Sequence, residues 1–206
     1  MTELLDRKDG EFAVKLARKL VEVWVRGRIV YNPDVIPEAF GKNRGVFTTL
    51  YSYPSMRLRG CIGIPQPSMA LIDALKESAT SVTEDPRFSA LKKDELPKIV
   101  VEVSVLTGPE FIKVDTAGQY IGEIAIGRDG LIIRHGPSGG LLLPQVPVEC
   151  DWNTKEFLEQ LCLKAGLAPD TWKDSKTKIY RFRSQIFCEV SPGGKIVEKK
   201  ISVDSE

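Results

Sequence analysis

The sequence predicts an α/β protein of the α+β type, with an antiparallel or mixed sheet flanked by helices. Three observations carry this. Three segments have clean helical periodicity, and about eight short runs rich in β-branched residues are joined mostly by Gly, Pro, Asn and Asp turns. The alternation of strand and long helix that builds a Rossmann sheet is missing. Neither a G-x-G-x-x-G nor a P-loop is present, so nucleotide binding has no support in the residues.

Taken in order, the first helix is expected from an Asp9 N-cap to about Arg26, with Gly27 able to end it. Phe12, Leu16, Leu20 and Trp24 recur every four residues, and Ala13, Ala17 and Val21 widen the stripe. Residues 31 to 45, with Asn32-Pro33, Ile36-Pro37 and Gly41, read as loop. The run 46–51 reads as a strand, and after Ser52-Tyr53-Pro54-Ser55 a second strand follows, close enough for an antiparallel pair. Pro65 and Pro67 stop it. Ser68 is the expected cap of a helix to about Glu84, striped by Leu71, Leu75, Ala79 and Val82, and Asp85-Pro86 breaks that helix.

Ile99 to Leu106 is the clearest strand, with Ile99, Val101, Val103 and Val105 facing one way and Glu102 and Ser104 the other. Gly127-Arg128-Asp129-Gly130, between two apolar runs, has hairpin-turn chemistry; residues 136–140 read as a glycine-rich loop. Asn153 and Glu156 have capping-box spacing for a third helix, and Gly166 stands where an αL glycine ends one. Extended segments follow at 179–183, 185–190 and 196–201.

Composition narrows the function classes. Lys+Arg 29 against Asp+Glu 28 leaves a net charge of +1, so no global field favours a nucleic acid, and no long basic patch supplies one locally. Cys61, Cys150, Cys162 and Cys188 show no C-x-x-C spacing and His135 is the one histidine, so neither a metal site nor a cofactor is expected. The first ten residues are polar and no long apolar run follows, so neither a signal peptide nor a membrane span is expected. A reducing cytoplasmic setting with free thiols is the expectation. Many Lys and Glu with few Asn and Gln hint at a thermophile.

The chemistry-bearing stretch is Arg57-Leu58-Arg59-Gly60-Cys61-Ile62-Gly63-Ile64. Strict strand alternation puts Leu58, Ile62 and Ile64 on one face and Arg57, Arg59 and Cys61 on the other. Arg59 and Cys61 then lie about 7 Å apart at Cα. A guanidinium at that range favours a thiolate. Gly60 and Gly63 leave the backbone bare for a bulge or a close approach. Two readings stay open: Cys61 as an activated nucleophile beside anion-binding Arg59 and Arg57, or Cys61 as a small buried hydrophobe beside ion-paired arginines. His135, with the glycines of 136–140, is a candidate anion cradle against the alternative of a plain surface loop. Glu84, Asp85 and Arg87 read as a solvated turn.

The hexapeptide at 58–63 resembles the signature of the AMMECR family, named for a chromosomal region deleted in a human syndrome. Gly45-Val46-Phe47-Thr48-Thr49-Leu50 resembles the family's preceding segment. Asp85-Pro86-Arg87-Phe88 with Leu91 resembles its post-helix turn, residues 102–106 its central strand, and Gly140-Leu141-Leu142-Leu143-Pro144-Gln145-Val146 its late Leu-Pro-Gln block. The resemblance implies one AMMECR-like domain over residues 5–203, with a larger lobe drawn from both chain ends and a smaller lobe. It implies a cytosolic protein, and it points to dioxygenase-like and radical-SAM proteins as partners in a shared modification pathway. The family supplies no catalytic residue to carry over, so Arg59 and Cys61 enter as signature positions only.

Overall fold

The computed structural model describes residues 4–201, which fall into two compact units. Among these, the first comprises residues 4–107 together with Gln185–Lys200, and the second comprises Gly108–Ser184 with Ile201.

The first unit holds a five-stranded sheet of β1 (Val46–Ser52), β2 (Arg57–Ile64), β3 (Ile99–Leu106), β8 (Ser184–Glu189, all but its first residue in this unit) and β9 (Ile196–Lys199), in the order β2-β1-β3-β8-β9. β1 runs antiparallel to both β2 and β3, and β8 antiparallel to β9. Helices α1 (Arg7–Gly27) and α2 (Leu71–Ser81) share one core with the sheet, in which Leu16, Leu20, Leu71 and Leu75 meet Val46, Leu50, Val101 and Val103. Each such fully buried side chain is worth about 1.5–3 kcal/mol. Thr48, on the same sheet face, shares a hydrogen bond with Ser78 of α2 at 2.5 Å.

Local chemistry moved two helix starts from their expected places. Asp6, not Asp9, caps α1: its carboxylate accepts the Asp9 N–H at 2.8 Å, which puts Asp9 in the first turn. α2 begins at Leu71, because an isolated bridge between Asn43 and Ala70 keeps the residues after Ser68 extended. It ends at Ser81 in a 3-10 turn over Val82–Glu84.

The second unit holds β4 (Glu110–Phe111), β5 (Gly130–His135), β6 (Ser138–Leu142) and β7 (Lys178–Phe182) in the order β4-β7-β5-β6, with every pair antiparallel. Short helices α3 (Tyr120–Glu123) and α4 (Gln145–Glu149) accompany α5 (Thr154–Lys164), which packs Phe157, Leu158 and Leu161 against Leu131, Ile133 and Ile179. The α5 capping box forms as expected, with Glu156 N–H on Asn153 Oδ1 at 3.0 Å and Asn153 N–H on Glu156 Oε2 at 2.9 Å. Gly166 takes the left-handed conformation at φ +72°.

Two turns differ from expectation. Residues 124–126 form no strand; the buried Asp129 carboxylate instead accepts the Ala125 N–H at 3.0 Å and pairs with Arg128, closing a local knot. The glycine-rich stretch 136–140 is not one loop. Gly136-Pro137 is a two-residue turn, and Ser138 onward is strand β6, with His135 opposite Ser138.

Candidate functional site

β2 is an edge strand, and an unpaired edge is a template for unwanted pairing unless something covers it. Its register to β1 runs Thr49 to Cys61 and Leu50 to Gly60, then shifts so that Tyr51 faces Leu58 and Ser52 faces Arg57. Arg59 is the extra residue of a β-bulge. The bulge corrects the strict alternation: Leu58 joins the face of Thr49 and Cys61, while Arg57 crosses to the face of Ile62 and Ile64. Arg57 therefore does not share a face with Cys61. It is exposed.

The bulged Arg59 reaches the segment between α2 and β3. Its Nε donates to Glu95 Oε1 at 2.7 Å, and its Nη2 donates to Glu95 Oε2 at 3.0 Å and to the Ser89 carbonyl at 2.9 Å. The bidentate pair holds the Glu95 carboxyl below its ordinary range. Two residues on, the same segment seals the edge at Cys61. The Cys61 N–H donates to Asp85 Oδ2 at 2.8 Å, and Arg87 Nη2 donates to the Cys61 carbonyl at 2.9 Å. Asp85 and Arg87 are themselves joined by two side-chain bonds of 3.0 and 2.7 Å, and Asp85 Oδ1 also accepts the Arg87 N–H at 3.0 Å. A charge pair thus occupies the place that a further strand would take. Gly60 sits beneath it, where an added Cβ would lie 2.9 Å from the Val82 carbonyl oxygen, and a Cβ on Gly63 would collide with the Phe47 ring.

The Asp85 carboxyl is held well below the usual carboxylate range, chiefly by the Arg87 bond, against its own burial and helped by the two backbone N–H groups. A depressed folded-state pKa contributes stability that is present above the unfolded value near 4 and lost as pH falls through the folded one. Asp85→Ala is therefore expected to lower stability by about 2–3 kcal/mol at pH 7. The gap to the unsubstituted protein should narrow steadily below about pH 5, as urea titrations at several pH values would show.

The thiol of Cys61 is half-buried and accepts a hydrogen bond from Thr49 Oγ1 at 3.3 Å. Thr49 stands opposite Glu102 of β3, and Glu102 accepts from the Tyr51 hydroxyl at 3.2 Å and from Lys199 Nζ at 2.6 Å. Burial first, and then the Glu102 charge, push the Tyr51 phenol well above its ordinary value. Burial pushes the Cys188 thiol up to about 11, so it stays protonated at neutral pH. Among the described residues no group of three or more His, Cys, Asp or Glu is placed to hold a metal ion.

The structure thus brings Arg59, Gly60, Cys61 and Gly63 together with four residues that the strand reading missed: Thr49, Asp85, Arg87 and Glu95. Glu84 and Arg87 are exposed, as a solvated turn would have them, but Asp85 is 2% exposed and departs from that expectation. The available signal was an Asp-Pro-Arg turn directly after a helix, where an aspartate accepts backbone N–H groups two residues on. His135 stands in the second unit at the end of β5, with Nδ1 2.9 Å from Thr177 Oγ1.

A family model described as AMMECR1 matches residues 14–187. A protein of Methanococcus aeolicus is 53% identical over 199 residues, covering 96% of this chain and 100% of its own length. A Methanocaldococcus jannaschii protein is also 53% identical over 199 residues, covering 96% and 98%. The crystal structure of an uncharacterized protein from Pyrococcus horikoshii superposes with a TM-score of 0.84 at 43% identity, covering 95% of this chain and 98% of that one.

Proposed function

The chain belongs to the AMMECR1 family, and from that premise we propose that it is a non-catalytic binding module whose 58–63 signature is a structural clasp. One observation carries this reading. The Arg59 guanidinium, which an enzyme would need for an anionic substrate, is engaged by both oxygens of Glu95 and by the Ser89 carbonyl. The clasp steadies the β1–β2 hairpin, whose tip exposes Tyr53, Met56 and Leu58. Exposed Arg57 and Lys98 flank that tip, with the Tyr53 N–H bonded to the Lys98 carbonyl at 2.8 Å. An apolar protein segment with acidic flanks suits such a surface. The dioxygenase-like and radical-SAM proteins suggested by the family resemblance are the partners to try first. Four free thiols suit a cytoplasmic setting, and no described helix is long and apolar enough to cross a membrane.

A second reading, Cys61 as the reactive group of an enzyme, draws on the Thr49 hydroxyl donated to its sulfur. Timed labelling with iodoacetamide and mass spectrometry separates the two. The binding-module reading expects exposed Cys150 to label first, half-buried Cys61 later, and buried Cys162 and Cys188 last. Cys61 outpacing Cys150 by about tenfold would sink the reading, because only a lowered thiol pKa overcomes lower exposure.

A further inference from the structure

We propose that the second unit binds a small planar carboxylate in the cleft between the 111–120 segment and the 172–177 turn, at a site separate from the clasp. The cleft encloses about 410 Å³, within the range of small-molecule sites. Its walls are the aromatic side chains of Phe111, Tyr120 and Trp172 with Ile112, Val114 and Ala117. Phe111 is 43% exposed although its ring packs on Tyr180 at 5.5 Å, a cost that a planar ligand against its open face would relieve.

Trp172 is 3% exposed, lines the cleft, and its indole N–H has no hydrogen-bond partner among the described residues. A covered donor left without an acceptor is costly, so a small shift of the ring that lets the indole N–H meet an acceptor in the cleft is favoured. Lys173 Nζ lies over the face of the same ring, 5.4 Å from its centre, which puts a charged donor at the same wall. Lys113 also lines the cleft, and neither lysine makes an ion pair among the described residues. Asp115 and Asp174 line it too and balance the charge overall, but Asp174 Oδ1 is engaged by the Lys176 N–H at 2.8 Å. Adjacent donors, rather than net field, thus select a carboxylate. The Thr177 hydroxyl donates to the Thr171 carbonyl at 2.7 Å and meets His135 Nδ1, so His135 backs this wall.

The test is a titration of the full chain, with ¹⁵N-labelled indoles, against 2-naphthoate. The Trp172 indole resonance should move downfield and saturate with a Kd of about 1 mM or tighter, while Trp24 and Trp152 stay in place. 2-Naphthalenemethanol, the same ring without the charge, should bind about tenfold more weakly. The Lys113→Gln/Lys173→Gln variant, altered only at exposed positions, should reduce naphthoate to the level of the alcohol. A Trp172 resonance that does not saturate, equal affinity for the alcohol, or an unchanged double variant would each overturn the proposal.

Discussion

Gly60→Val is expected to destabilise the protein by about 3 kcal/mol or more, enough to bring a domain of ordinary stability to the edge of unfolding. Gly60 pairs with Leu50 on one side and lies under the 3-10 turn after α2 on the other. An added Cβ would stand 2.9 Å from the Val82 carbonyl oxygen and 3.2 Å from Val82 Cγ2, and a valine carries two further methyls into that space. A flexible side chain can yield to such an intrusion, but the nearest atom here is backbone. Relief therefore means moving the 82–85 turn, and with it the carboxylate that holds Cys61. Cys61→Ser leaves every backbone bond of the clasp in place and should stay folded. Urea unfolding of the two variants side by side checks this. A well-folded Gly60→Val protein with an unchanged midpoint would show that the backbone there is not crowded.

Arg18→Met is expected to cost about 3–5 kcal/mol, because it strands a buried carboxylate. Arg18 on α1 forms a bidentate pair with Glu189 at the end of β8, and its Nη2 also donates to the Ile99 carbonyl at 2.7 Å. Glu189 is 3% exposed, and its second oxygen accepts the Val101 N–H at 3.0 Å. Burial alone lowers the Arg18 pKa, but the Glu189 bonds outweigh it and the net shift is upward. Removing the guanidinium leaves the buried Glu189 carboxylate without its counter-ion. Adding Glu189→Gln should recover most of the loss, since the amide oxygen still accepts from Val101. An Arg18→Met protein within about 1 kcal/mol of the parent would contradict this.

The parts of the fold legible in the sequence are those governed by one segment's own periodicity. The four-residue recurrence from Phe12 to Trp24 marked α1, and the alternating valines of 99–106 marked β3. The Asn153–Glu156 box is local chemistry and formed as expected. What stayed hidden depends on a second segment. Nothing within 57–64 reveals that Arg59 is one residue too many, because a bulge exists only relative to β1. Asp85 reads as a solvated acid until the edge of β2 is seen lying against it. Gly139 and Gly140 suggest a loop by composition, yet a Cβ on Gly140 would press to 3.0 Å on the Ala165 backbone, so that glycine serves close packing in a strand. The signature was visible as a place, but the sequence alone did not show that its charges are engaged internally.

The most direct test of the clasp is amide hydrogen exchange at Cys61. An edge-strand N–H that points away from its neighbour should exchange quickly, whereas one bonded at 2.8 Å to a buried carboxylate should be protected. The Cys61 amide is expected to be protected as strongly as those of β3, and to lose that protection in Asp85→Ala while the β3 amides keep theirs. A Cys61 amide that exchanges at the same rate in both proteins would contradict it.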